Sequence, residues 1–225
     1  MEHKREKYER LVAFAATLPP TPTAVAHPCD HDSLSAVVEA ARLKLIAPIL
    51  VGPRAKIEAA AKEGNLDLGD LPIVDAPHSH AAAECAVQLV HEGKAQALMK
   101  GSLHTDELMA AVVARGSGLR TERRVSHCFI MDVPGREEAA KIKGISSPVA
   151  GHANVLVVPD LEAGNMLAKS LTFLAGADAA GIVLGAKVPI ILTSRADSVL
   201  TRLASCAVAS MVALARREQP AAAIV

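Results

Sequence analysis

Ala97-Leu98-Met99-Lys100-Gly101-Ser102-Leu103-His104-Thr105 carries an apolar run into a turn of glycine, hydroxyl and basic residues, after which residues 106–114 take up a helical period. Read as strand, turn and helix, this is the form in which open α/β sheets bind ligands at the carboxyl ends of their strands. Gly101 then lets the backbone come close to a ligand, Lys100 and His104 supply charge, and the free N–H groups of the helix add the positive end of its dipole. That chemistry favours an anion. The alternative reading is a tight strand-to-helix turn with a capping Ser or Thr.

The same alternation extends in both directions. Residues 4–17 read as an amphipathic helix with Tyr8, Leu11, Val12 and Ala15 on one side, closed by Pro19 and Pro20. A short strand at 23–26, a helix capped by Asp32 or Ser33 and running to residue 45, and a strand at 48–51 stopped by Gly52 and Pro53 make a βαβ unit. A helix at 54–63, a strand at 73–75 and a helix at 80–93 lead to the opening stretch, so four parallel strands are expected by residue 100. Beyond it, 123–133 contains a strand, 136–143 is weakly patterned, and 144–151 is a loop rich in Gly and Pro. Strands at 155–158, 181–184 and 189–192 and helices at 161–175 and 198–217 complete the pattern.

Composition narrows the classes of function. The 225 residues, 51% hydrophobic, can bury a sizeable core, and Lys+Arg equals Asp+Glu at 24 each, so no bulk field points to nucleic acid or an acidic membrane. With no Trp, one Tyr and three Phe there are few platforms for stacking bases. Cys29, Cys85, Cys128 and Cys206 lack the paired spacing of a zinc or redox motif and read as buried free thiols. The amino terminus, residues 2–10, is charged and no apolar run approaches a membrane span, so a cytoplasmic protein is expected.

A second constellation repeats the first. Thr193-Ser194-Arg195-Ala196-Asp197-Ser198 lies between an apolar strand and the last helix; a guanidinium grips phosphate bidentately, a hydroxyl donates to an oxyanion, and a carboxylate accepts a proton. Its plain alternative is a helix cap at Asp197 or Ser198 with Arg195 in solvent. Arg120, Arg123 and Arg124 read as a solvated strand edge, and His78 with His80 as a surface loop lacking a third metal ligand. His27, His31, His127 and His152 are isolated, and neither G-x-G-x-x-G nor a Walker pattern occurs. No metal or resident cofactor is expected.

Five stretches together resemble the phosphate acetyltransferase and phosphate butyryltransferase family: ALMKGSLHTDEL at 97–108, RVSHCFIM at 124–131, KGISSPVAG at 143–151, VPDLEAGNMLAK at 158–169 and TSRADS at 193–198. The likeness spans nearly the whole chain in the family's order. From Lys7 onward it is most similar to the transferase part of bacterial proteins that fuse it to a hydratase-like domain.

The resemblance implies a three-layer α/β/α fold of the isocitrate dehydrogenase-like, phosphotransacylase type with a mostly parallel sheet. It implies exchange of acetyl or butyryl groups between coenzyme A, as substrate, and phosphate. Ser194 and Arg195 match the family's Ser-Arg pair, assigned to transition-state stabilisation and substrate binding. The catalytic carboxylate of acetyl-specific relatives falls near Thr201 here, and Asp197 is the candidate to replace it. Lys100, Gly101, Ser102, His104, Thr105, Arg124, Asn165 and Lys169 are the expected contacts to coenzyme A or phosphate. A homodimer is expected, since relatives are usually dimers.

One departure stands out. Between Gly135 and Ala139 the chain passes almost at once to the Lys-Gly-Ile motif, where the family has several further strand-helix units. The expected organisation is therefore a first domain at 1–135 containing the Lys-Gly-Ser-x-His-Thr turn, and a shortened second domain at 136–225 with the strands and helix that complete the core. The rival reading is a non-catalytic remnant that binds coenzyme A or phosphate. A metal-dependent hydroxy-acid dehydrogenase of related fold would need an Asp cluster that the sequence lacks.

Overall fold

In the computed structural model, which describes residues 6–133, 144, 157–194 and 197–218, the apolar runs before residue 101 form four parallel strands. These are β1 (Thr21–Ala26), β2 (Ile46–Gly52), β3 (Ile73–Asp75) and β4 (Ala97–Lys100). Between and beyond them run α1 (Glu6–Ala15), α2 (His31–Arg42), α3 (Arg54–Glu63), α4 (Ser79–His91) and α5 (Thr105–Val113). The later elements are β5 (Ser126–Asp132), α6 (Leu161–Phe173), β6 (Asp178–Leu184), β7 (Ile190–Ile191) and α7 (Val199–Glu218).

The seven strands lie in the order β3-β2-β1-β4-β7-β6-β5. β7 is parallel to β4, whereas β6 runs antiparallel to β7 with Ile182 opposite Ile191. The short link between β6 and β7 is the reason: it turns at Gly185, with φ +95°, and is too short for the crossover that a parallel pair requires.

Successive strand residues enter opposite layers, as the two-residue period demands. Val25, Leu50, Met99 and Ile191 pack with Leu34 and Val37 of α2, Ile57 of α3 and Leu203 and Cys206 of α7. Their neighbours Ala24, Val51, Leu98 and Ile190 pack on the other side with Ala82, Ala83 and Ala86 of α4 and Leu108 and Val112 of α5. The result is a three-layer α/β/α arrangement. Alanines on α4 let that helix lie close to the sheet.

α2 starts earlier than the sequence suggests. Its cap is Asp30, in extended backbone, whose Oδ1 accepts the Ser33 N–H at 2.8 Å and the Ser33 hydroxyl at 2.6 Å; Asp32 already lies inside the helix. Of the strand expected at 155–158, residues 157–158 are not in a strand and the rest lie outside the described residues. α7 also departs from expectation, being long and apolar enough to cross a membrane, with an 18-residue stretch of mean hydropathy 1.5. More than half of it is buried, with Leu203, Ala204, Cys206, Ala207 and Ala209 in the core, so it serves as a core helix.

The chain divides into two compact units, Met1–Cys128 with Ala180–Val225, and Phe129–Ala179. In the second, α6 is capped by Asp160, whose Oδ1 accepts the Ala163 N–H at 2.7 Å. In the first, α2 leaves β1 for one layer while α5 leaves its neighbour β4 for the other. The carboxyl ends of β1 and β4 thus form the point at which an open sheet reverses its winding, where such sheets hold ligands.

Candidate active site

β4 ends on a lysine inside the molecule. Lys100 is only 7% exposed, and its Nζ donates to the carbonyls of Gly101 and Leu103 at 3.2 and 3.1 Å, which fix the charged head over the turn. It lines a small pocket of about 50 Å³. Met99 and Gly101 share that wall, Thr193 and Ser194 approach from the end of β7, and Asp30, Asp32 and Ser33 form the start of α2. The structure therefore brings together the two turns that the sequence singled out.

The fourth wall is Arg202 on α7. It is 5% exposed, and its guanidinium donates from Nη1 to the Asp32 carbonyl, tying α7 to the first turn of α2. Sequence reasoning missed it. The available signal was a charge on the buried stripe of α7, in step with Ser205, Cys206 and Ala209 where small or apolar residues pack against the sheet.

The other residues of the Lys-Gly-Ser-x-His-Thr turn bond locally. A Cβ on Gly101 would lie 2.5 Å from the carbonyl oxygens of Ala26 and His27, so glycine is required by the end of β1 as well as by any ligand. The Ser102 hydroxyl donates to the His27 carbonyl at 2.8 Å and accepts the Cys29 N–H at 3.3 Å, with His27 Nδ1 3.1 Å away. His27 holds φ +54°, a left-handed conformation. Burial, then the charge of Lys56, lowers its imidazole pKa. Burial likewise pushes the Cys29 thiol up to about 11.

His104 and Thr105 are exposed at the start of α5. The cap is His104, neither Ser nor Thr, and its N–H donates to Glu107 Oε2 at 2.8 Å. Glu107 Oε1 accepts the Ser79 hydroxyl at 2.6 Å and faces His80 Nδ1 at 3.1 Å; these hydrogen bonds, Ser79 first, lower the Glu107 pKa. His78 caps α4 through Nδ1, accepting the Ala81 N–H at 3.2 Å. Among the described residues no three His, Cys, Asp or Glu side chains converge as metal ligands would.

On the β7 side, Asp197 closes the Ser194 loop: its Oδ2 accepts the Ser194 N–H at 2.6 Å, and its own N–H donates to the Ser194 carbonyl at 3.2 Å. Ser194 is exposed at the rim of the pocket. Arg195 and the 143–151 motif, apart from Gly144, lie outside the described residues. Arg124 is not brought to the pocket. Its carbonyl lies where a Cβ on Gly185 would be, at the β6–β7 link and so at the opposite end of the sheet from Lys100. Asn165 and Lys169 sit one turn apart on an exposed face of α6, within the second unit.

Residues 131–210 match a family described as phosphate acetyl/butaryl transferase. The chain is 47% identical over 306 aligned positions to a phosphate acetyltransferase of Rhizobium meliloti, covering 97% of each. It is 27% identical to a phosphate butyryltransferase of Clostridium beijerinckii, covering 92% of this chain and 98% of that one. Among solved structures it shares its fold with a branched-chain phosphotransacylase from Enterococcus faecalis V583, with a TM-score of 0.69, 22% identity, and 85% and 98% of the two chains covered. A phosphotransacetylase from Streptococcus pyogenes gives a TM-score of 0.70 at 15% identity, covering 92% and 99%. The 306 positions aligned with the Rhizobium protein, against 225 residues here, leave at least 81 without a counterpart in this chain.

Proposed function

Because this chain belongs to the phosphate acetyltransferase and phosphate butyryltransferase family, we propose that it exchanges an acetyl or butyryl group between coenzyme A and inorganic phosphate. The observation that carries the reading is the buried Lys100 at the end of β4, sharing one pocket with Ser194 beyond β7. A buried cation and a hydroxyl at the carboxyl ends of parallel strands suit a substrate that is an oxyanion and develops a second one during reaction.

In the direction that consumes acyl phosphate, the coenzyme A sulfur forms a bond to the carbonyl carbon and the bond from that carbon to the phosphate oxygen breaks. Phosphate leaves with the electron pair, and no acyl-enzyme forms. Asp197 Oδ1 takes the thiol proton while Oδ2 holds the Ser194 loop, and the Ser194 hydroxyl donates to the carbonyl oxyanion. Lys100 and Arg195 meet the phosphate charge. Gly101, Ser102, His104 and Thr105 shape the turn beside it, and Asn165 and Lys169, on an exposed face of α6, are offered as contacts to coenzyme A; Arg124, at the far end of the sheet, is not. Each lost contact to the oxyanion costs roughly 3 kcal/mol, about a hundredfold in rate.

The positions missing relative to the Rhizobium protein favour a second reading, a protein that keeps a phosphate or coenzyme A site without turnover. One assay separates the two: acetyl-CoA or butyryl-CoA is incubated with phosphate and free thiol is followed, beside an Arg195→Ala variant. Release above the variant's background supports the transferase. No such release, with coenzyme A still bound, supports the second reading.

The same proposal takes the protein to be a cytoplasmic homodimer. All four cysteines are free, as in a reducing compartment. Within the second unit Ile130, Met166, Phe173 and Leu174 are 55, 69, 61 and 86% exposed, apolar surface that a second copy would cover. A monomer by light scattering at micromolar concentration would sink the dimer.

A further inference from the structure

His27 follows the last residue of β1 in left-handed backbone, φ +54°, where glycine or asparagine would sit with less strain. Such strain persists where the surroundings over-determine it, and it recurs beside functional sites. We propose that His27 and Ser102 form a positioning pair for the exchange reaction proposed above, on which this inference rests. Neither touches substrate; together they hold the pocket wall formed by Asp30, Asp32 and Ser33 against the wall formed by Lys100 and Gly101.

The left-handed turn aims the His27 carbonyl at the neighbouring strand end. That oxygen accepts the Ser102 N–H at 2.9 Å, the Ser102 hydroxyl at 2.8 Å and the Cys29 N–H at 2.9 Å, while the His27 N–H donates to the Val51 carbonyl at 2.6 Å. The approach is close on both sides. A Cβ on Gly101 would lie 2.5 Å from the His27 carbonyl oxygen, and a Cβ on Gly52 would lie 3.3 Å from the His27 Cα. His27 is thus gripped between the carboxyl ends of β2 and β4. From it the chain leads through Cys29 to the α2 cap, Asp30, and Ser102 directly follows Lys100 and Gly101, so the pair joins the segments that supply both walls.

The side chains complete the tie. A serine hydroxyl has one proton and two lone pairs. Ser102 gives its proton to the His27 carbonyl, accepts the Cys29 N–H at 3.3 Å, and has the imidazole Nδ1 3.1 Å away as its second donor. Its capacity is used within the protein, which leaves none for phosphate or coenzyme A. Glycine at position 27 would take the same φ without strain, but only a side-chain donor fills the second lone pair of Ser102. Misplacing reacting groups by about 1 Å can cost roughly a hundredfold in rate, whereas attraction between charges tolerates such a shift. A positioning pair therefore acts on kcat before it acts on binding.

The test uses the full chain with His27→Gly, His27→Asn, Ser102→Ala and the double variant His27→Gly/Ser102→Ala. Glycine and asparagine both accept left-handed backbone, and the asparagine amide nitrogen is attached to Cγ as Nδ1 is, so it restores the donor. In the thiol-release assay kcat should fall about tenfold or more in His27→Gly and in Ser102→Ala, with KM for phosphate and for acyl-CoA within about twofold of wild type. The double variant should fall no further than the worse single one, as for two groups acting through one bond, and His27→Asn should recover most of the lost kcat. Amide exchange reads the tie without turnover: His27→Gly should speed exchange at Ser33 and Gly101, one in each wall, by about tenfold or more and leave α4 unchanged. That measurement decides the pairing even if the wild type releases no thiol, a result that counts against the exchange reaction alone. Should Ser102→Ala not fold, His27→Gly and His27→Asn decide by themselves. Wild-type kcat in His27→Gly, losses that multiply in the double variant, a raised KM with kcat unchanged, no recovery in His27→Asn, or unchanged exchange at Ser33 and Gly101 would each overturn the pairing.

Discussion

Asp197 Oδ2 accepts the Ser194 backbone N–H at 2.6 Å, and the Asp197 N–H returns to the Ser194 carbonyl at 3.2 Å. One carboxylate thus closes the loop that presents the Ser194 hydroxyl, in addition to the proton-accepting role proposed for it. The two roles separate by substitution. Asp197→Asn keeps an acceptor oxygen for the Ser194 N–H but has no basicity, so the protein should fold as well as the wild type while kcat falls by about a hundredfold or more. Asp197→Ala should lose the same rate and also about 1 kcal/mol of stability with the loop bond. If Asp197→Asn turns over at the wild-type rate, Asp197 is a brace and the base lies elsewhere.

Gly101 yields a prediction about folding. An added methyl would meet two backbone oxygens of β1 at 2.5 Å, and backbone in the middle of a buried parallel sheet has no cheap way to move. Gly101→Ala should therefore cost about 1–3 kcal/mol or more, the range of overpacking in a close-packed interior. Urea unfolding followed by circular dichroism reads this directly; a midpoint equal to the wild type would contradict the packing described for this turn.

Ser102 and His27 make a pair whose proton positions can be deduced. The Ser102 proton goes to the His27 carbonyl at 2.8 Å, so at 3.1 Å the Ser102 oxygen must accept from Nδ1–H, which leaves Nε2 of a neutral ring unprotonated. Nitrogen NMR at neutral pH should show His27 as this single tautomer. In Ser102→Ala the ring should exchange between tautomers and the protein should lose about 1–3 kcal/mol, the usual consequence of leaving a part-buried polar group without its partner. An unchanged tautomer in that variant would show that something other than Ser102 fixes the ring.

Much of this was legible in the chain because the doubly wound half obeys local rules. α3 and β3 begin and end where the residue pattern places them, since Pro53 and Gly64 bracket the helix and β-branched residues fill the strand. The Lys100 and Ser194 turns were legible as well, each following an apolar run that could only be a buried strand. Arg202 was not, because a lone charge in a helix reads as solvent-facing until the packing shows which face is covered. The cap of α2 was missed for a related reason: Asp30, Asp32 and Ser33 are all good caps, and only the backbone angle chooses among them. The placement of Arg124 at the far end of the sheet depends on β6 running antiparallel, which is a property of the β6–β7 link and not of the arginine.

His127 supplies a test in pH. Burial of its imidazole in β5 brings the pKa from 6.5 down to about 4, so the fold favours the neutral ring. A group whose folded pKa is depressed contributes its full stability above the unfolded value and loses it as pH falls toward the folded one. The contribution is therefore complete at pH 7.5 and falls between about pH 6.5 and 4, by roughly 2–3 kcal/mol at pH 4.5 on a scale of 1.36 kcal/mol for each pKa unit. His27, also depressed, and the lowered Glu39, Glu92 and Glu107 push in the same direction, so the wild-type profile alone does not isolate the effect. His127→Gln does, because glutamine carries no charge at either pH. Between pH 7.5 and 4.5 the urea midpoint of the wild type should fall further than that of His127→Gln, while the two slopes in urea stay equal. Parallel profiles for the two proteins would mean that His127 takes up its proton in the folded state as readily as in the unfolded one, and that β5 does not bury the ring.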